Sequence, residues 1–159
     1  MTNIVPNAAC VRTLLIKPGC SFNESLHSLS GNAYQSVHFE ELFAYLHTLM
    51  LDLDTRTGAS GAPLADEVTI AVISEMGRSP QETNGGKGHW TFTSALLIGA
   101  GVQGGQVIGA MDENFTGQPV RLDTGEVHAG GTGLLPEHLS ATLLEILGLD
   151  YGEYLAQGE

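Results

Sequence analysis

A length of 159 residues allows one domain with a single apolar core, and a composition of 42% hydrophobic and 15% charged residues excludes an intrinsically disordered chain. Acidic residues number 18 against 6 basic ones, which gives a formal net charge of −12. Because so acidic a surface repels phosphate backbones and anionic lipid, we expect neither a nucleic acid nor a membrane as a partner.

The N-terminal part of the chain begins with an irregular leader over residues 1–10. This leader lacks the basic start and the long apolar run of a signal peptide, which predicts a cytoplasmic location by default. The run Val11 to Ile16 is rich in β-branched residues and leucine and predicts a strand. Cys10 and Cys20 could pair or stay reduced, since their spacing matches no zinc signature.

A long amphipathic helix is predicted from about Ser36 to Leu53. Glu40 and Glu41 lie near its N-terminal end, where the helix dipole favours acidic groups. Apolar side chains recur at the three- and four-residue spacing of one helix face, at Phe39, Leu42, Phe43, Leu46, Leu49, Met50 and Leu53.

The rest of the chain alternates strand and helix patterns. Val68 to Ser74 is apolar on both faces, as the central strand of a parallel sheet would be. Ser94 to Ile98 predicts a second buried strand, and Gln106 to Ala110 a shorter extended piece. Pro136 suits the start of a C-terminal helix and Gly148 its end.

This alternation predicts a single α/β domain over residues 1–159, with a largely parallel sheet flanked by helices. In an open sheet of this kind, ligands bind beyond the carboxyl ends of the strands. Glu75 directly follows the strand Val68 to Ser74, where its carboxylate could ligate a divalent metal. The alternative is a solvated loop glutamate paired with Arg78.

Two histidines are further candidate metal ligands. His89 follows Gly85 to Gly88, a flexible backbone that could fold the imidazole back toward Glu75. A packed, hydrogen-bonded histidine is the alternative. His27 lies in the loop after the first predicted strand and could reach the same sheet edge, or it is an ordinary loop residue.

Arg78 is the candidate for substrate binding, because its planar guanidinium fits the oxygens of a phosphate or a sulfate. It could equally neutralise Glu75, and Lys87 is a weaker anion-binding candidate. Residues 99–104 match the glycine pattern of dinucleotide-binding loops, but the chain continues in an extended pattern without the required helix. No serine, threonine or cysteine lies in a recognisable nucleophile setting, so no catalytic residue is assigned.

Four segments together resemble a known family. They are VTIAVISEMGRSP (68–80), GGKGHW (85–90), LLIGAGVQGGQVIGA (96–110) and LPEHLSATLLEILGLD (135–150). Their order and spacing resemble the bacterial domain-of-unknown-function family 1501 of the alkaline phosphatase/sulfatase-like superfamily. Its members typically read SEFGRTP, then GGRDHW, then a glycine-rich segment.

The resemblance implies a metal-dependent hydrolase-like protein that acts on a small phosphate or sulfate ester, with a fold like the C-terminal part of an alkaline phosphatase-like domain. Glu75 and His89 would match the family's metal ligands, and Arg78 its arginine. The metal would be zinc, with calcium, magnesium and manganese as alternatives. Met76 and Gly88 depart from the family, which usually carries Phe and Asp at these positions.

Family members are much longer, and the N-terminal part that would carry a nucleophile and further ligands has no counterpart here. The chain therefore resembles a C-terminal part or a shortened relative that is incomplete or inactive on its own. The alternative is a non-catalytic remnant that serves as a binding or assembly module, for which a homo-oligomer is one form. Relatives are often exported, which leaves the location open.

Overall fold

The fold is described by a computed structural model over residues 29–74, 76–81, 87–150 and 152. The elements that these ranges contain in full are two helices, four short strands and one 3-10 turn. They are helix α1 (Leu29–Thr55), the 3-10 turn (Leu64–Asp66), strands β1 (Thr69–Ile73), β2 (Gly77–Arg78), β3 (His89–Trp90) and β4 (Ala95–Gly99), and helix α2 (Pro136–Ile146). The leader 1–10, the predicted strand at Val11–Ile16 and the cysteines Cys10 and Cys20 lie outside the described residues.

The strands form two antiparallel pairs. Strand β1 pairs with β4, with Thr69 opposite Gly99, and strand β2 pairs with β3, with Gly77 opposite Trp90. The prediction of a largely parallel sheet flanked by helices, with the C-terminal architecture of an alkaline phosphatase-like domain, is therefore wrong for the described ranges.

The error has a physical origin. An apolar residue at nearly every position of β1 suggested burial on both faces, which is typical of a central parallel strand. The segment that joins β1 to β4 instead turns back through β2 and β3, and a chain that returns beside itself pairs antiparallel. Burial on both faces is also incomplete, since Ile73 retains 54% of its surface.

The four strands make up one long hairpin that is interrupted near its middle. Residues 74–76 separate β1 from β2, whereas residues 91–94 separate β3 from β4. The return arm thus carries one extra residue, as in a β-bulge. Gly77 lies beside this irregularity. A Cβ atom at this position would overlap the carbonyl oxygen of Phe92.

Helix α1 confirms the predicted helix and extends it at both ends. Leu46, at the centre of the predicted apolar face, is only 6% exposed, whereas Phe39 and Phe43 keep 51% and 55% of their surface. The helix contacts the 3-10 turn. No helix in the described ranges combines the length and the apolar character needed to cross a bilayer.

The loop between α1 and β1 is closed by the carboxylate of Glu67. This group accepts hydrogen bonds from the backbone N–H of Ala59 (2.8 Å) and of Ser60 (2.7 Å), and from the hydroxyl of Ser60. These hydrogen bonds hold the pKa of the Glu67 carboxyl below its usual value, and the bond from the Ser60 hydroxyl has the largest effect.

Residues 100–135 contain no helix and only isolated bridges between extended positions. The predicted extended piece at Gln106–Ala110 forms no strand. Val120 bridges to both Val127 and Thr132 and is completely buried. Val120 is thus the one buried residue among residues 100–135.

Helix α2 begins at Pro136, as predicted. The helix ends at Ile146, and Gly148 follows in the closing turn with a φ of 71°, a left-handed conformation that glycine adopts without strain. The N–H of Gly148 donates to the carbonyl of Glu145 at 2.9 Å. Local signals thus set both ends of this helix.

Candidate functional site

The inner strand pair of the hairpin brings two of the predicted site residues together. Arg78 on β2 lies directly opposite His89 on β3. Opposing residues in an antiparallel ladder have Cα atoms about 4.5–5.5 Å apart, so the guanidinium and the imidazole start from neighbouring backbone positions. Arg78 is half-buried and His89 is exposed.

Hydrogen bonds between the two arms hold Arg78 in place. The N–H of Ser79 donates to the carbonyl of Gly88 at 3.0 Å. Arg78 Nη1 donates to the carbonyl oxygen of Lys87 at 3.4 Å. The guanidinium therefore lies against the backbone of the opposite arm, beside Lys87.

Trp90 ties this hairpin to the C-terminal segment. Its Nε1–H donates to the carbonyl of Phe115 at 2.9 Å. Phe115 has a φ of 59° and lies in a turn in which Asp112 Oδ1 accepts the N–H groups of Asn114 and Thr116, both at 2.9 Å. The arm that carries His89 is thus fixed on its other side by a turn of the C-terminal segment.

Glu75 and His27, two of the three predicted metal ligands, lie outside the described residues. Glu75 follows Ser74, whose hydroxyl donates to the carbonyl of Met76 at 2.8 Å. In the sequence Glu75 falls between β1 and β2, and His89 begins β3.

Two other histidines accept backbone N–H groups at Nδ1. His128 Nδ1 accepts the N–H of Gly130 at 3.1 Å, and His138 Nδ1 accepts the N–H of Leu135 at 3.0 Å. A neutral imidazole that accepts at Nδ1 carries its proton on Nε2, so Nε2 has no lone pair for a metal. Sequence reasoning missed both roles, which have no spacing signature.

The donor types fit a divalent cation, since imidazole and carboxylate are common zinc ligands. Within the described ranges, however, no group of three His, Cys, Asp or Glu side chains could hold a metal ion. His89 is the one predicted ligand that these ranges contain. A site with three such ligands would therefore need at least one residue from outside these ranges, where Glu75 and His27 lie.

The Lys and Arg side chains of the described ranges fall into two groups. Arg56 pairs with Asp52 at 2.6 Å and Arg121 with Asp123 at 2.7 Å. In each pair the hydrogen bond raises the pKa of the arginine and lowers that of the aspartate. The other group is Arg78 and Lys87, neither of which has a carboxylate partner in the part of the chain that is described.

Comparison with known proteins identifies the family. The sequence matches the family described as "Protein of unknown function (DUF1501)" over residues 32–158, which is most of the chain. The chain belongs to this family. The match takes in α2, the hairpin with Arg78 and His89, and all but the first turn of α1, so the resemblance of the motifs is confirmed for this DUF1501 protein. No curated protein and no solved structure gave a significant match.

Proposed function

We propose that this DUF1501 protein is a metal-dependent hydrolase-like protein related to phosphatases and sulfatases. Glu75, His89 and His27 would hold a divalent metal, and Arg78 would bind a phosphate or sulfate ester. The observation that carries the proposal is the β2–β3 register, which sets Arg78 opposite His89. An ester held by the guanidinium would then lie beside a metal held by the imidazole.

Each residue of the proposed site has a chemical task. The guanidinium offers a planar fork of N–H donors to two ester oxygens, and the Lys87 carbonyl orients it from the opposite arm. Imidazole together with carboxylate favours zinc, while calcium, magnesium and manganese prefer oxygen ligands. A bound divalent metal would supply Lewis-acid polarisation of the ester. No nucleophile is assigned in this chain. We therefore expect the chain to bind a metal and an ester, and we make binding rather than turnover the primary measurement.

Metal affinity tests the proposal. We expect zinc to bind the chain, and Glu75→Ala and His89→Ala each to weaken that binding at least about tenfold, because each removes a ligand. His128→Ala is the matched control, since its imidazole is committed to Gly130. Turnover of an aryl phosphate and an aryl sulfate is measured on the same proteins. A chain that stays metal-free, and whose variants all behave like the parent, contradicts the proposal.

A second candidate function, a non-catalytic binding or assembly module, is favoured by one surface of α1. Phe39, Phe43 and Met50 lie on one stripe of the helix and retain 51%, 55% and 40% of their surface. A row of large exposed apolar side chains is typical of protein contact surfaces.

Light scattering after size-exclusion chromatography separates the two functions. An assembly module predicts an oligomer that dissociates on Phe43→Ser and persists in Tyr45→Ser, a control on the opposite side of α1 with 58% of its surface exposed. A monomer that binds zinc tightly would rule out the assembly function and leave the hydrolase-like one.

A further inference from the structure

We propose that His128 and His138 form a pH-sensitive histidine switch, which fixes the start of helix α2 and the turn before it only while both imidazoles are neutral. The histidine switch is defined as these two side chains together with their backbone donors, Gly130 and Leu135. The inference goes beyond the proposed function and is independent of it, because neither histidine belongs to the proposed metal and ester site.

His138 caps the N-terminus of α2. Its Nδ1 accepts the N–H of Leu135 at 3.0 Å, and its own N–H donates to the Leu135 carbonyl at 3.0 Å. His138 is the third residue of the helix, where a capping box usually has a Glu or Gln side chain that reaches back to the residue before the helix. A glutamine accepts this bond at any pH, whereas a histidine accepts it only when neutral. The cap of α2 therefore depends on protonation.

His128 closes the turn that precedes α2 in the chain. Its Nδ1 accepts the N–H of Gly130 at 3.1 Å, and its carbonyl accepts the N–H of Gly131 at 2.8 Å. The turn lies between the two bridges to the buried Val120. An asparagine or aspartate side chain makes the same bond to the backbone two residues on in an Asx turn. The imidazole of His128 thus takes the place of an Asx side chain.

Protonation breaks both bonds by the same chemistry. The Nδ1 lone pair that accepts the backbone N–H is also the site of the second proton, and an imidazolium has two N–H donors and no acceptor. At the start of α2 the new charge also faces the positive end of the helix dipole. An imidazole in water gains this proton near about pH 6.5. Acid thus competes with the backbone for the lone pairs, and the stabilisation is present above this pH and lost below it.

The carboxylates near the two rings do not replace the lost bonds. Glu126 and Glu137 are the nearest ones along the chain. Within the described ranges, however, the one ion pair of a histidine joins His38 to Glu41 at 3.9 Å. His128 is exposed and His138 is half-buried, so water reaches both rings. Protonation therefore weakens the turn and the helix start without a compensating ion pair from these ranges.

Exchange of the Gly130 and Leu135 amides with water tests the histidine switch. In the full chain, ¹⁵N–¹H NMR measures both exchange rates at about pH 7.5 and about pH 5, and the intrinsic rate at the same pH converts each into a protection factor. We expect both factors to fall roughly fivefold at the lower pH, which corresponds to the loss of one hydrogen bond. His138→Gln should make the protection of Leu135 independent of pH, and His128→Asn should do the same for Gly130.

His47→Gln is the matched control, because it removes an exposed histidine of α1 and should leave both pH responses as in the parent. Protection factors that stay equal at the two pH values would overturn the histidine switch. So would a fall at Leu135 in His138→Gln as large as in the parent. The ¹⁵N shifts of the imidazoles report their protonation in the same samples, and rings that stay neutral at about pH 5 would also overturn it.

Discussion

Single side chains in this protein close backbone turns next to its regular elements. Glu67 closes the loop before β1 through the N–H groups of Ala59 and Ser60, and His138 accepts the N–H of Leu135 ahead of α2. At Gly77 the absence of a side chain matters, because it leaves space for the carbonyl of Phe92. Each arrangement depends on one particular residue type, so each can be tested by one substitution.

The pKa of Glu67 predicts how its loop responds to acid. Because hydrogen bonds lower this pKa in the folded chain, the ionised carboxylate stabilises the loop above its usual pKa of 4.5. That stabilisation is lost as the pH falls through the lowered value. We expect the amides of Ala59 and Ser60 to lose protection against hydrogen exchange in this acidic window. In Glu67→Gln these two amides should be less protected already at neutral pH. In the control Glu113→Gln their protection should equal that of the parent.

Gly77→Ala should disturb the strand pair that carries Arg78 and His89, although it changes neither of these side chains. The new Cβ would overlap the Phe92 carbonyl, which is backbone and cannot move aside cheaply. We expect a loss of about 1–3 kcal/mol in the free energy of unfolding and a broadened His89 resonance. Gly104→Ala, where nothing lies within 4 Å, should stay within about 0.5 kcal/mol of the parent. Equal unfolding midpoints for the two variants in denaturant would refute the role of Gly77.

At the scale of elements, the sequence predicts what local signals encode. Pro136 and Gly148 delimit α2, and the apolar spacing around Leu46 marks α1. The existence of β1 and β4 is also predictable, because both are short apolar runs. Their relative direction is not, since it depends on the path of residues 79–94, which have no apolar periodicity.

The pairing of Arg78 with His89 could not be predicted either. It depends on register, and the extra residue in the return arm shifts that register by one. The sequence predicts that Arg78 and His89 belong to one site, but on the basis of a parallel-sheet edge that the described residues do not form. The chemistry of the two side chains is the basis of that prediction, and their cross-strand pairing is not predictable from it.

The packing of α1 leads to a prediction at the same scale. Leu46 is 6% exposed and Leu51 on the same helix is 54% exposed. Leu46→Ala should lower the free energy of unfolding by about 2–5 kcal/mol, because it removes buried methyl groups and leaves a cavity. Leu51→Ala should change it by less than about 0.5 kcal/mol. Urea unfolding followed by circular dichroism compares them, and similar losses would mean that α1 is not anchored at Leu46.

At the scale of the whole molecule, apolar exposure and net charge oppose each other. Large apolar side chains such as Phe43, Ile73 and Val107 retain 54–91% of their surface, which favours self-association. A net charge of −12 disfavours it, because two copies repel each other. Salt screens the repulsion and leaves the apolar attraction in place.

Self-association should therefore increase with ionic strength. We expect the weight-average mass from light scattering to rise between about 0.01 M and 0.5 M NaCl, as the screening length falls from about 30 Å to below 10 Å. Phe43→Ser should reduce this rise and Tyr45→Ser should not. A mass that falls as salt is added would show that charge pairs, rather than apolar contacts, hold the copies together.

Trp90 gives this protein a built-in optical reporter. It is the single tryptophan of the chain, and its indole N–H is bound to the Phe115 carbonyl while its backbone neighbours His89. Its emission should therefore respond both to occupancy beside His89 and to release of the turn at Phe115. These two events are distinguishable, because only release of the turn breaks the hydrogen bond of the indole N–H to Phe115.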